Sequence, residues 1–222
     1  MKNGLVLFFG GFAVLALSWA AVLLSAHNQF GSLAQYKDPI EETLHPAPLT
    51  GLADRGRLVY QDLGCVSCHT QQVRRDGFGG DIARQWGVRQ SVARDYIREQ
   101  TVFLGHSRIG PDLRNAGARA YANEEYFYNL LYAPQSQAPG TNMPAYDFLF
   151  EVRKIRPGQA SPHALKLSSK YAPPAGYEVV PTPRATALVA YLRSLNDSYE
   201  YPEARPFVAE VPKGEAKKEG GH

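Results

Sequence analysis

The sequence predicts an all-α protein in which a single N-terminal transmembrane helix is followed by one helical domain with long loops. The first observation is a long apolar segment at the N-terminus, and the second is a set of apolar residues that recur at helical spacing further along. The third is that no segment shows a sustained alternation of apolar and polar residues, which is the pattern typical of strands. The 222 residues leave room for one modest core once the anchor and tails are set aside.

The N-terminal apolar segment runs from Leu5 to Ala26, and no charged residue occurs between Lys2 and Lys37. A helix of this length spans about 33 Å, which is enough to cross a hydrocarbon core of roughly 30 Å. A cleaved signal peptide is the alternative, because Ser18-Trp19-Ala20 offers a cleavage site. Cleavage there would leave an apolar stub on the mature chain, so we expect a retained anchor.

Composition divides the rest of the chain into segments of different character. We assign residues 1–30 to the anchor, 31–50 to a proline-rich polar linker, 51–200 to the helical domain and 201–222 to a flexible polar tail. A segment rich in Pro and Lys, at about residues 151–181, lengthens the domain as an insertion. The formal net charge of +3 is too small to indicate nucleic-acid binding.

Two helices are predicted at the ends of the domain. The first has one face built from residues at helical spacing, namely Leu52, Gly56, Val59, Tyr60 and Leu63. Gly56 lacks a side chain on this face, so another backbone can approach it closely. The last helix runs from Pro183 to Leu195, and Thr182 is suited to cap it.

Two further helices are predicted between these. Asn123 is suited to cap a helix that ends before Pro134. The segment from Ser91 to Gln100 is a less regular candidate for the other.

Cys65-Val66-Ser67-Cys68-His69 is the most specific motif in the chain. The pattern C-x-x-C-H is the attachment sequence of a c-type haem, in which each thiol can add to one vinyl group and the histidine can bind the iron. A structural zinc site needs four ligands, and the chain has no further cysteine. A thioredoxin-like motif would lie in a βαβ pattern, which the flanking sequence lacks. We therefore predict one covalently attached haem c, held by Cys65 and Cys68, with His69 as the proximal iron ligand.

Met143 is the predicted second axial ligand of the iron. The chain has two methionines, and Met1 is the initiator, so Met143 is the one thioether available. It lies downstream of the haem motif, in a loop rich in Pro and Gly. A thioether is a soft ligand that favours ferrous iron and raises the reduction potential. The alternatives are a core-packing role for Met143 and ligation by His106.

The order of these motifs resembles a class I cytochrome c over roughly residues 51–197. The resemblance rests on Gly56 and Tyr60 before the haem motif and on the apolar face of the last helix, which is made of Leu188, Tyr191, Leu192 and Leu195. It implies that the first and last helices cross at the glycine, and it agrees with Met143 as the distal ligand.

The segment Gly110-Pro111-Asp112-Leu113 resembles the loop of this family whose proline carbonyl accepts the Nδ1 proton of the proximal histidine. The resemblance therefore gives this role to Pro111, since such an acceptor fixes the ring and raises its basicity as a ligand. An ordinary Gly-Pro turn is the alternative.

A closer resemblance is to the mono-haem, membrane-anchored cytochrome c subunit (subunit II) of cbb3-type cytochrome c oxidases. It rests on Arg108, on the segment from Cys68 to Arg74, on Met143-Pro144-Ala145-Tyr146 and on the single anchor. The usual motif of that family carries Met where Gln72 stands here, which leaves Met143 without a competitor. Haem propionates suit guanidinium groups, so Arg108 and Arg74 are expected at the haem edge.

The resemblance implies an electron carrier without a catalytic site of its own. It would pass single electrons to the haem-copper catalytic subunit, which reduces oxygen to water, and a further c-type cytochrome is a candidate donor. Haem c is attached outside the cytoplasm, and Lys2 agrees with the positive-inside rule, so we expect a bacterial inner-membrane protein with a periplasmic haem domain. The alternatives are the cytochrome c subunit of a nitric oxide reductase and a free-standing membrane-tethered electron shuttle.

Overall fold

The fold is that of a computed structural model, which describes residues 3–49, 51–156 and 160–204. The helices are α1 (Gly4–Phe30), α2 (Gly51–Asp62), α3 (Glu124–Tyr132), α4 (Pro134–Gln137) and α5 (Pro183–Ser194). The strands are β1 (Tyr36–Lys37), β2 (Leu44–His45), β3 (Phe150–Lys154) and β4 (Tyr177–Pro181). Short 3₁₀ turns join several of these elements.

Helix α1 is long and apolar enough to cross a membrane. Its 27 residues correspond to about 40 Å of helix, and none of them is buried against the rest of the chain. The N-terminal apolar segment therefore forms one continuous helix, as predicted, and suggests membrane anchoring.

The core lies where α2 crosses α5. A Cβ atom built on Gly56 would overlap the backbone of Ala187 and the Cβ of Tyr191, so only glycine permits this approach. The Tyr60 ring, which is fully buried, packs against the rings of Tyr191 and Phe103 at centroid distances of 5.4 Å. The predicted close approach at Gly56 is confirmed.

The predicted helix caps are also confirmed. Thr182 accepts a hydrogen bond from the amide of Ala185 at 3.3 Å at the start of α5. Asn123 accepts one from the amide of Tyr126 at 2.8 Å at the start of α3, which ends before Pro134.

The predicted helix from Ser91 to Gln100 is wrong, because this segment contains one 3₁₀ turn, Ala93–Tyr96. The Asp95 carboxylate accepts the amide hydrogen of Val92 at 2.8 Å and pairs with Arg89 at 2.8 Å. A buried acidic side chain that bonds to its own N-terminal backbone favours such a turn over a continued helix.

The all-α prediction needs a correction, since the described residues include two antiparallel strand pairs. The longer pair joins β3 to β4, in a register that runs from Phe150 opposite Pro181 to Lys154 opposite Tyr177. Strand β3 is exposed beyond its first residue, whereas β4 buries three consecutive residues. Neither strand alternates buried and exposed residues, so neither shows the period of two that predicts a strand. The predicted insertion at about residues 151–181 forms most of this hairpin.

The linker and the start of the tail pack on the domain, whereas both were predicted to be solvated. Pro46 is buried, and the ring of Tyr36 meets the ring of Tyr201 edge to face at 5.7 Å. Tyr201 and Ala204 are buried, so the packed region extends past residue 200. The rest of the predicted tail, residues 205–222, lies outside the described residues.

Candidate haem site

The two cysteines of the motif lie at the start and at the C-cap of one 3₁₀ turn that follows α2. The turn is Cys65–Ser67, and it starts after Gly64, whose φ of 66° is the left-handed conformation that favours glycine. The amides of Cys68 and His69 both donate to the carbonyl of Cys65, at 3.2 and 3.0 Å. Side chains three residues apart eclipse in a 3₁₀ turn, so both thiols, which are free and half-buried, project to the same side.

Burial keeps the Cys65 thiol protonated at neutral pH. It raises the pKa of Cys65 to about 11, although the hydroxyl of Tyr146 beside the thiol opposes this rise. Burial likewise raises the pKa of Tyr146 to about 12. Tyr146 therefore brings the segment that follows Met143 next to the haem motif.

His69 has its ring oriented by Pro111. The Nδ1 atom lies 2.8 Å from the carbonyl oxygen of Pro111, and a carbonyl can only accept, so Nδ1 carries the proton and Nε2 presents its lone pair. Burial lowers the pKa of His69, and the hydrogen bond to Pro111 opposes this effect. The neutral imidazole is the form that binds metal ions. The predicted hydrogen bond between these two residues is present.

The segment that carries Pro111 is bonded to the haem motif on both sides. The amide of Gly110 donates to the carbonyl of Cys68 at 3.0 Å, and the amide of Leu113 donates to the carbonyl of Thr70 at 2.8 Å. A Cβ atom on Gly110 would overlap the His69 ring, so this glycine permits the contact. Sequence reasoning assigned no role to Asp112, whose buried carboxylate also joins the two segments.

Met143 is half-buried and packs against the hydrophobic core. Its amide donates to Thr141 Oγ1 at 3.2 Å, and the amide of Tyr146 donates to the carbonyl of Leu131 at 2.8 Å. The first bond closes a turn within the loop, the second connects the loop to α3, and the Tyr146 hydroxyl connects it to Cys65. The loop of the predicted distal ligand and the turn of the predicted proximal ligand therefore belong to one packed region.

The two arginines predicted at the haem edge differ in their surroundings. Arg108 donates to the carbonyl of Gln72 at 2.8 Å and pairs with the buried carboxylate of Asp81 at 2.5 Å. Asp81 also accepts the amide hydrogen of Arg74 at 2.7 Å, while Arg74 itself is an exposed residue. Arg108 thus lies near the haem motif but is already paired with a carboxylate, a partner that sequence reasoning missed.

The rival ligand, His106, is exposed at the surface. It follows Gly105, whose φ of 75° is in the left-handed region. Gly105 lies so close to Thr70 that a Cβ atom built on it would be 2.8 Å from the Thr70 Cα. The segment of His106 therefore runs next to the haem motif, so His106 stays the alternative to Met143 as an iron ligand.

Exposed apolar side chains adjoin the cysteine turn and the Met143 loop. Ile109 precedes Gly110 and is 70% exposed, and Leu104 precedes Gly105 and is 42% exposed. Phe148 is 63% exposed, and its ring lies 5.8 Å from the ring of Tyr146. Two free thiols on one side of a turn, a histidine with a free Nε2, a thioether and exposed apolar groups together fit a covalently held haem.

A surface cavity of about 720 Å³ lies elsewhere, between the linker and the C-terminal end of α5. It is lined by charged residues, among them Arg57, Glu99, Arg114 and Asp197. Arg114, which is 4% exposed, pairs there with Glu99 and Asp197. We interpret this cavity as part of an ion-pair network that holds the domain together, and not as the haem site.

The sequence matches a known protein family. A family model described as cytochrome c oxidase, mono-heme subunit/FixO, matches residues 11–166, which is more than half of the chain. The matched range contains the cysteine turn, the Pro111 loop and Met143. No curated protein matches the chain.

Proposed function

The chain belongs to the cytochrome c oxidase mono-haem subunit (FixO) family, and we propose that it is the membrane-anchored c-type cytochrome of a cbb3-type oxidase. In this role it carries single electrons to the haem-copper catalytic subunit, where oxygen is reduced to water. When bound, the haem supplies a reversible one-electron couple between ferric and ferrous iron. The observation that carries this proposal is the hydrogen bond of 2.8 Å between His69 and Pro111, next to a C-x-x-C-H turn, in a chain of this family.

The cysteine turn attaches and orients the cofactor. Cys65 and Cys68 would each add a thiol to one vinyl group of the haem, and both are presented on one side of the same turn. His69 supplies the proximal nitrogen, because Pro111 holds the Nδ1 proton and leaves Nε2 free.

Met143 would supply the second protein ligand of the haem iron. Its loop is fixed by the hydrogen bonds around Thr141 and Tyr146, so the thioether is held in place rather than recruited from a mobile segment. A haem iron held by both His69 and Met143 would be suited to electron transfer and not to oxygen binding. The chain needs no catalytic residue for this role.

Arg74 and Arg108 have different proposed roles at the haem edge. Arg74 is an exposed residue and is the better placed to approach a propionate. Arg108 holds Asp81 and the carbonyl of Gln72, and it contributes positive charge beside the same region. Both assignments follow from charge and position.

The domain is a class I cytochrome c with additions. The crossing of α2 and α5 at Gly56, beside Tyr60 and Tyr191, supports this assignment. The β3–β4 hairpin and the docked linker are then elaborations of the smaller helical fold. Residues 51–204 would form the haem domain, preceded by the linker and the anchor.

The position in the membrane follows from α1 and from the chemistry of attachment. Helix α1 would cross the bacterial inner membrane once, with the haem domain on the periplasmic side, where haem c is attached. The partners would be the other oxidase subunits, and a further c-type cytochrome would be a suitable electron donor.

Purification in a mild detergent tests this proposal against its two alternatives. The proposal predicts co-elution with a haem-copper subunit and oxygen consumption that depends on this chain. Co-elution with a complex that consumes nitric oxide instead would favour a nitric oxide reductase subunit. Elution without any partner, with the haem still attached, would favour a free-standing shuttle.

A further inference from the structure

Asp112 follows the proline that contacts the proximal histidine, and its side chain is fully buried. One carboxylate oxygen accepts the Thr70 hydroxyl at 2.6 Å and the Gln72 amide at 2.8 Å. The other accepts the amide hydrogen of Arg114 at 2.9 Å. All three partners donate, so the side chain acts as the acceptor that an ionised carboxylate provides.

The bonds from Thr70 and Gln72 connect the two segments that must stay in register for His69 to meet Pro111, and the bond from Arg114 fixes the carboxylate within its own segment. Thr70 and Gln72 lie just after His69, whereas Arg114 lies just after the Pro111 loop. Two backbone bonds, from Gly110 to Cys68 and from Leu113 to Thr70, join the same segments on either side of Pro111. The carboxylate therefore braces the acceptor of the Nδ1 proton.

Two arginines lie near Asp112. Nη2 of Arg108 is 3.8 Å from the Asp112 carboxylate, and Arg108 also pairs with Asp81 at 2.5 Å. Arg119 donates to the backbone carbonyl of Asp112 and adds positive charge near His69. The Asp112 carboxylate is therefore a buried negative charge one residue away from the acceptor of the His69 Nδ1 proton. Water screens buried charges little, so this charge acts on groups close by.

We propose that Asp112 is a positioning residue for the proximal ligand, which holds Pro111 against His69 and whose negative charge lowers the reduction potential of the haem. The inference rests on the proposed haem attachment. A negative charge near the iron favours the ferric state over the ferrous state, and an anchored acceptor keeps the imidazole basic. Two effects therefore act in the same direction, one through geometry and one through charge.

The test compares four variants of the full-length, haem-loaded protein. Asp112→Asn removes the charge at nearly constant volume, Thr70→Val removes one donor, and Thr70→Ser keeps it. Asp95→Asn is the matched control. Asp95 is also buried, accepts a backbone amide hydrogen and pairs with an arginine, but its carboxylate bonds to a different loop. The measurements are the midpoint potential by spectroelectrochemical titration and peptide-level hydrogen exchange over residues 109–114.

We expect Asp112→Asn to shift the midpoint potential to more positive values and to speed exchange over residues 109–114. Thr70→Val should speed the same exchange with a smaller shift in potential, and Thr70→Ser should behave as the wild type. Asp95→Asn should lower thermal stability but leave both readouts unchanged.

An unchanged potential in Asp112→Asn, with the haem still attached, would overturn the proposal, as would an equal shift in Asp95→Asn. If Asp112→Asn does not accumulate as folded protein, the two Thr70 variants test the proposal instead. Unchanged exchange in Thr70→Val would then contradict the positioning role of Asp112. Absence of covalent haem from the wild type would instead contradict the proposed function.

Discussion

The Nδ1 atom of His69 and the carbonyl oxygen of Pro111 lie 2.8 Å apart, although 42 positions separate the two residues in the chain. The contact fixes which nitrogen of the ring is available to a metal. In the proposed haem site His69 is the proximal ligand, so the distal ligand would come from another segment. Met143 is the proposed source.

Replacement of Met143 by alanine tests the distal ligand. The thioether favours ferrous iron, so its loss should lower the reduction potential. Since axial ligands set haem potentials over a range of roughly 0.8 V, we expect a decrease on the order of 0.1 V or more. The weak near-infrared absorption band of methionine-ligated ferric haem should disappear as well.

His106→Ala is the matched control for this measurement, because His106 is the rival ligand. It should leave the band and the potential in place. Survival of the band in Met143→Ala, or its loss in His106→Ala alone, would show that the distal ligand has been misassigned.

A side chain at Gly56 should disrupt the crossing of α2 and α5. The Cβ of Gly56→Ala would meet the backbone of Ala187, which cannot rotate away. Overpacking of a core costs about 1–3 kcal/mol, and we expect a loss of stability in this range. Gly11→Ala is the control, since it also replaces a helical glycine but meets no atom within 4 Å. Equal melting temperatures of the Gly56→Ala protein and the wild type would be inconsistent with the crossing.

Arg114 should stabilise the domain through its buried acidic partners. Removal of one partner of a buried ion pair costs about 3–5 kcal/mol, so Arg114→Met should lower the free energy of unfolding by that amount at neutral pH. Arg153→Met is the control, because Arg153 is 51% exposed and pairs with Glu178 at the surface, where a pair contributes about 0–1 kcal/mol.

The loss in Arg114→Met should shrink as the pH falls. Burial raises the pKa of Glu99 and of Asp197, and Arg114 opposes both shifts. Without Arg114 the pKa of each carboxyl rises further, so the folded variant binds protons more tightly than the unfolded chain. Its stability relative to the wild type should therefore recover as the pH falls through these raised values. Thermal unfolding at pH 7 and pH 5 measures the difference, and a larger deficit at pH 5 would refute it.

The docked linker should protect Lys37 from proteolysis. Arg94 donates to the carbonyl of Ala34 at 2.5 Å and pairs with Glu203, so it joins the linker to the C-terminal segment. Arg94→Gln should speed cleavage after Lys37 by a lysine-specific protease severalfold. Arg75→Gln, which changes an exposed arginine elsewhere, should not. Equal cleavage rates in the two variants would indicate that the linker is not held by Arg94.

Local features of the fold could be predicted from the sequence. The caps at Thr182 and Asn123 and the glycine face of α2 are each determined by a few neighbouring residues, so propensity and periodicity predict them. The contact between His69 and Pro111 is not local, and its prediction depended on a resemblance to a known family.

Other features depend on contacts between distant segments and could not be predicted. Strand β3 is exposed and β4 is buried over three residues, so neither shows the alternation of a half-buried strand. The linker docks because the ring of Tyr36 meets the ring of Tyr201, and composition alone reads such a segment as solvated. The positive charge of Arg108 predicted a contact with the haem propionates, whereas the structure pairs Arg108 with Asp81.

The covalent link between Cys65, Cys68 and the haem is the central claim, and denaturing electrophoresis followed by haem staining tests it most directly. The account predicts a haem signal that migrates with the wild-type polypeptide and is absent from the Cys65→Ser, Cys68→Ser double variant, while antibody detection shows comparable amounts of both chains. A haem signal of equal strength in the double variant, or none on the wild-type polypeptide, would contradict it.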